Sequence, residues 1–206
     1  MSFYENHVLP HLLQAACGTK PVSRQRARIV PEARGRVLEV GMGSGLNLAH
    51  YNPDNIELVW GLEPSEAMRR KATNAVQAAP FDVRWLNLPG EQIPLEDNSV
   101  DTVLLTYTLC TIPDWRKALE QMRRVLKPDG MLLFCEHGEA PDARVRKWQD
   151  RINPAWRKLA GGCNVNRPIK DLIEEGGFAI QRIETGYLRK TPRVVGFNYW
   201  GGARVR

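Results

Sequence analysis

The chain has 206 residues, 43% of them hydrophobic and 25% charged, with a formal net charge of +6. That is enough for one domain with a sizeable core and too little for two, while no apolar run approaches the roughly 20 residues of a membrane helix and the first residues lack a signal-peptide pattern. Residues 141–206 carry 14 basic and 6 acidic side chains, but these are dispersed and not interleaved with aromatics, which argues against a nucleic-acid partner.

Phe3 to Leu13 places apolar residues at helical spacing, and residues 22–33 form a second, arginine-rich helical segment. Together they read as a helical cap over residues 1–35, with Phe3, Tyr4, His7, Val8 and Leu12 as an apolar face that closes as a lid and sheds water. The chain then alternates: strand 36–40, helix 45–51, strand 56–62, helix 65–79, strands 82–87 and 100–106, helix 114–126, and strand 130–136. Alternation of this kind predicts a mostly parallel α/β sheet. A basic amphipathic helix follows over 143–152 with Val145, Trp148 and Ile152 on one face. Packing of that face on the sheet is favoured, and peripheral contact with an anionic membrane stays open. Cys17, Cys110, Cys135 and Cys163 are too scattered for a C-x-x-C pair, so reduced thiols, no metal site and a cytoplasmic location are expected.

The most informative stretch is Val37 to Asn47, an apolar strand that breaks into Gly41, Gly43 and Gly45. Glycines there tolerate positive φ and admit a ligand close to the backbone. A dinucleotide fingerprint spaces its glycines G-x-G-x-x-G, whereas this turn reads E-x-G-x-G-x-G from Glu39. The second strand ends on Glu63, 22 residues after Gly41, where a carboxylate accepts both hydroxyls of a ribose.

This turn resembles the first motif of class I S-adenosylmethionine (SAM) methyltransferases. Gly90 to Asp101 is similar to the family's adenine loop, with Pro89 where many relatives have aspartate, and Val125 to Phe134 matches the helix, turn and strand that come next. The resemblance implies a Rossmann-like seven-stranded sheet, mostly parallel, with helices on both faces and a C-terminal antiparallel hairpin over 178–186 and 193–204. It also implies SAM as cofactor and S-adenosylhomocysteine as product. The implied cofactor residues are Glu39, Gly41, Gly43, Gly45, Glu63, Met68, Gly90, Glu91 and Thr106, within a SAM-binding core over 36–137.

Residues 138–206 read as substrate-side helices plus the hairpin. Asn153 to Arg167 resembles the P-A-W, G-C-N and arginine signature of the membrane-associated alkyl-thiol methyltransferase family, in which Glu136-His137 and Thr108-Leu109-Cys110 also have counterparts. That family carries a hydrophobic N-terminal anchor, where this chain has a charged helix. The resemblance implies a small-molecule acceptor, most simply a thiol or sulfide, contacted by Trp156, Cys163, Asn164 and Arg167. His137 and Tyr107, at strand ends, are the catalytic candidates. The alternatives are core packing for Tyr107 and Trp156, a strand cap for His137, a buried small residue for Cys163 and a surface position for Arg167. Methylation of nitrogen or oxygen on a phospholipid headgroup, quinone or other small metabolite, a non-catalytic SAM-binding module, and either a monomer or a homodimer all remain open.

Overall fold

Five strands follow the apolar runs: β1 (Gly35–Val40), β2 (Ile56–Leu62), β3 (Asp82–Leu86), β4 (Val100–Thr106) and β5 (Leu126–His137). Two more, β6 (Phe178–Tyr187) and β7 (Phe197–Val205), complete one sheet in the order β3-β2-β1-β4-β5-β7-β6. The computed structural model describes residues 4–206, the side chains of Glu5 and Asn6 excepted, so Phe3 of the expected lid lies outside the described residues. The first five strands pair in parallel, and β7 runs antiparallel to both β5 and β6. Central β4 is buried along nearly its whole length, as a parallel strand covered on both faces must be.

The helices are α1 (Leu9–Cys17), α2 (Lys20–Ile29), α3 (Glu66–Ala78), α4 (Trp115–Val125), α5 (Ala143–Leu159), α6 (Ile169–Glu175) and α7 (Arg193–Gly196). Ser65 Oγ accepts the Met68 N–H at the start of α3, and Asp114 accepts that of Lys117 at the start of α4, filling donors a helix N-terminus leaves free. One face of the sheet packs Leu38, Leu105 and Phe134 against Leu119 and Met122 of α4. The other packs Val37, Leu104 and Leu133 against Ile29, Val30 and Tyr51.

Four expectations need correction. The helix over 45–51 is a run of turns ending in a single 3-10 turn, Leu48–His50, closed by i to i+3 bonds such as His50 N–H to Asn47 O. Gly45 is left-handed there (φ 75°) and Asn52-Pro53 follows, so no α-helical run can begin or extend. The turn at 127–130 is extended instead, because β5 starts at Leu126 and absorbs the extra residues in a register shift against β4. The last strand begins at Phe197 rather than 193, after the short α7. Finally, α5 runs through Pro154 to Leu159, and Trp148 is 53% exposed rather than packed on the sheet.

The buried side chain of α5 is a polar one. Gln149 Oε1 accepts the Ala140 N–H at 2.9 Å, while its Nε2 donates to the carbonyls of Gly138, Val165 and Val194 at 3.0, 2.8 and 3.1 Å. Loops on both sides of α5 thereby satisfy backbone groups that burial would otherwise leave costly. Among the described residues, no helix is long and apolar enough to cross a membrane.

Candidate active site

The carboxyl ends of β1, β2 and β4 open into a cleft of about 280 Å³, where ligands of open α/β sheets bind. Gly41, Gly43 and Gly45 turn the chain there with φ of 72°, 59° and 75°, a region that L side chains adopt only under strain. Space matters too: a Cβ on Gly41 would sit 2.3 Å from the Thr108 side chain. Glu63 reaches back from the end of β2, its Oε2 accepting the Gly43 N–H at 3.0 Å and its Oε1 that of Ser65 at 2.8 Å. Burial raises its pKa, and the two N–H bonds only partly offset that.

Behind the turn lies a buried polar cluster. Asn47 Nδ2 donates to Glu39 Oε1 and Thr106 Oγ1, both at 2.8 Å, and Tyr51 OH donates to Glu39 Oε2 at 2.7 Å. Glu39 is 1% exposed, and burial lifts its pKa to about 7 against the hydrogen bonds from Tyr51 and Asn47. It therefore pins the glycine turn from beneath instead of lining the cleft.

Helices α1 and α2 form the opposite wall through Leu9, Pro10, Leu13 and Cys17 of α1 and Arg26 of α2. Val8 and Leu12, assigned to the lid face, point outward instead (38% and 51% exposed), because Leu9 and Leu13 take the inner side of α1. Arg26 is a residue that sequence reasoning missed. It is 5% exposed, its guanidinium lies 5.1 Å above the Tyr107 ring, and its Nε and Nη1 have no hydrogen-bond partner among the described residues. The Arg24-Gln25-Arg26-Ala27-Arg28 run was its only signal, and it does not say which arginine turns inward.

Of the remaining candidates, Met68, Thr106 and Tyr107 line the cleft, whereas Gly90 and Glu91 do not. Gly90 packs towards Ile112, Val40 and Ala118, and Glu91 Oε1 accepts the Asp114 N–H at 3.2 Å. Tyr107 holds a left-handed φ of 56°, donates its hydroxyl to Asn198 Oδ1 at 2.7 Å and stacks on His137 with ring centroids 6.3 Å apart. Burial raises its pKa well above the usual tyrosine value.

His137 and the substrate-side candidates gather just behind that wall. His137 Nε2 lies 3.2 Å from Cys163 Sγ, and Cys163 Sγ lies 3.7 Å from Cys110 Sγ. Burial opposes charge on His137, but Cys163 and Glu136 outweigh it and leave its pKa raised. The thiol of Cys163 is pushed up, first by its bond with Cys110 and then by burial. Glu136 Oε1 accepts the N–H groups of Thr108 and Leu109 at 2.7 and 3.0 Å. Asn164 ties the loop after α5 to this turn through two 2.9 Å bonds to the Cys110 carbonyl, and Arg167 donates to that of Leu109. Trp156 Nε1 is buried without a partner among the described residues, away from the cleft wall.

Residues 38–134 match the family model for a methyltransferase domain. That stretch is a methyltransferase domain. Thiol S-methyltransferase TMT1B of Rattus norvegicus is 31% identical over 153 residues, covering 72% of this chain and 62% of that protein. TMT1B of Homo sapiens is 32% identical over 159 residues, covering 74% and 64% respectively. The chain thus spans a little under two thirds of the length of these curated relatives. A SAM-dependent methyltransferase from Leishmania major shares the fold, with a TM-score of 0.71 over 98% of this chain and 80% of that one at 17% identity.

SAM is the cofactor expected from the glycine turn and Glu63, and the cleft fits that molecule. Gly41 and Gly43 line the cleft without Cβ atoms, whereas Gly45 faces Ala72, Ala75 and Leu48. Arg26 Nε and Nη1, Ser44 Oγ and Asn47 Oδ1 are buried atoms of cleft-lining residues with no partner among the described residues. A molecule bearing a carboxylate, an ammonium and two ribose hydroxyls matches such donors and acceptors.

Proposed function

We propose that this protein transfers the methyl group of SAM to the sulfur of a small thiol or sulfide, releasing S-adenosylhomocysteine. One tertiary observation carries the choice of sulfur. Asn153 to Arg167, the stretch that resembles the alkyl-thiol family, folds directly onto the two other stretches that share the resemblance. Asn164 holds Cys110, Arg167 holds Leu109 and Cys163 meets His137. Relatives named as thiol S-methyltransferases support the same acceptor.

In this reading Glu63 takes the ribose hydroxyls, the turn of Gly41, Gly43 and Gly45 admits the cofactor beside Met68 and Thr106, and Arg26 pairs with its carboxylate. Bound SAM supplies an electrophilic methyl on a sulfonium. The protein has to hold the acceptor sulfur in line, about 3 Å from that carbon, and exclude water. Leu9, Pro10 and Leu13 give the apolar wall that does so. An ordinary thiol has a pKa of about 8.5, so part of it is already thiolate near neutrality and a strong base is dispensable. Arg167 adds positive charge beside Cys110, Cys163 and Glu136, which favours the anion. Tyr107 and His137 shape the acceptor side.

The test is S-adenosylhomocysteine release from purified protein and SAM with sulfide, a short alkyl thiol, an aryl thiol, a phenol and an amine headgroup. Turnover is expected with the sulfur acceptors alone. It should fall at least about 100-fold in Glu63→Ala, which removes a carboxylate whose charged hydrogen bonds are worth about 1.5–3 kcal/mol each. Turnover confined to the phenol or amine would overturn the sulfur assignment in favour of oxygen or nitrogen.

A further inference from the structure

Cys110, His137 and Cys163 come from the loop after β4, the end of β5 and the loop after α5, yet their Sγ and ring-nitrogen atoms all lie within 4.8 Å of one another. Two of the three separations match those of ligands around one tetrahedral ion, and the third, Cys110 Sγ to the His137 ring, is within 4.8 Å. Bonds of about 2.3 Å to sulfur and 2.0–2.1 Å to nitrogen set a sulfur–sulfur edge of about 3.8 Å and a sulfur–nitrogen edge of about 3.5 Å. Cys163 Sγ stands 3.7 Å from Cys110 Sγ and 3.2 Å from His137 Nε2. A disulfide would require about 2.05 Å.

The segment that carries Cys110 is also held in place. Asn164 fixes the Cys110 carbonyl with two bonds, Asn153 Nδ2 fixes the Asn164 side chain at 3.2 Å, and Glu136 gathers the N–H groups that lead into Cys110. The charges balance as well, since two thiolates and a neutral imidazole cancel a divalent cation and leave no net charge to bury.

We infer that Cys110, His137 and Cys163 bind one zinc ion, with the fourth position open to the cleft for the sulfur of the methyl acceptor. Three protein ligands are the number that leaves a zinc position free for water or substrate. Two residues that line the cleft touch the cluster and give the direction. Tyr107 stacks on His137, and Thr111 Oγ1 lies 3.5 Å from Cys110 Sγ. A thiol entering that position loses its S–H proton to solvent and binds as thiolate. Its sulfur lone pair forms the new S–CH₃ bond as the sulfonium C–S bond breaks, giving S-adenosylhomocysteine and a neutral thioether, a weak ligand that leaves. Only this use of the fourth position rests on the sulfur-acceptor reading; the metal site itself does not.

The experiment is a cobalt(II) titration of the full chain, reduced and stripped with chelator. One equivalent should bind, with thiolate-to-cobalt absorption in the near ultraviolet and tetrahedral bands in the visible. Binding should weaken in Cys110→Ser, Cys163→Ser and His137→Ala by more than the roughly 100-fold that follows loss of a residue merely orienting a ligand, and Cys17→Ser should leave it unchanged. Adding a short alkyl thiol to the cobalt-loaded wild-type chain should intensify the charge-transfer band. No stoichiometric binding by the folded wild-type chain overturns the site. Loss of binding in Cys17→Ser, or a spectrum indifferent to the thiol, overturns the open position. A thiol-responsive spectrum without thiol turnover keeps the metal site and sinks the sulfur-acceptor reading instead.

Discussion

The two halves of this active site are built on different length scales. On the cofactor side the decisive contacts join neighbours in sequence or adjacent parallel strands: Glu63 bonds Gly43 across 20 residues and Ser65 across 2, and Asn47 bonds Glu39 across 8. On the substrate side the contacts close long loops, with Tyr107 to Asn198 spanning 91 residues, Arg167 to Leu109 58 and Asn164 to Cys110 54. A strand, a glycine turn and the next strand form one local unit, whereas the acceptor side exists only once α5, β5 and β7 have packed. The second half should accordingly be the more sensitive to residues that hold elements together.

Gln149→Ala gives the strongest test of that contrast. It leaves the Ala140 N–H and three carbonyls unpaired, and at about 1–3 kcal/mol for an unsatisfied buried group a loss of about 4 kcal/mol is expected in denaturant unfolding. Hydrogen exchange should rise first in residues 138–167, with the glycine turn still protected. Equal loss of protection in both halves would break the comparison.

Glu39 probes the cofactor side. Its pKa is raised from 4.5 in the unfolded chain to about 7, so the folded state binds that proton more tightly. Its contribution to stability is complete below pH 4.5 and is lost as pH rises through 7. That difference is on the order of 3 kcal/mol. Glu39→Gln should flatten the decline in unfolding free energy over this window, with Glu63 and Glu136, also raised by burial, retaining part of it. An unchanged slope would show that Glu39 does not carry it.

Arg26→Gln should weaken SAM binding about 10- to 100-fold in calorimetry, the worth of one charge-assisted hydrogen bond at about 1.5–3 kcal/mol. Acceptor KM should move little. The smallest effect belongs to Trp148→Ala. With Trp148 53% exposed, its loss should change stability by no more than about 0.5 kcal/mol, although sequence periodicity placed it against the sheet. A large loss would mean that this face of α5 is covered in solution.

The legible part of the fold follows the same division. The run from Val37 to Gly45, the strand ending at Glu63 and most of the alternation through Phe134 were readable, because each rests on local preferences: continuous apolar runs for buried parallel strands, positive φ at glycine, and helical spacing of apolar residues. Errors fell where local signals compete. The helix at 45–51 lost to the left-handed Gly45 and Asn52-Pro53, and α5 leaves Trp148 exposed because Gln149 is the side chain it buries, against the carbonyls of Gly138, Val165 and Val194 that no periodicity predicts.

The sequence by itself determined the parallel strands of the core, the cofactor turn and the position of Glu63, since the backbone conformations they need are dictated by neighbouring residues along β1, the glycine turn and β2. Tertiary structure alone decided that Arg26 faces the cleft, that Gln149 is the buried side of α5, and that Cys110, His137 and Cys163 share one corner. Each of these depends on a polar side chain losing water to partners tens of residues away, and that cost is settled only when the packed elements supply the partners.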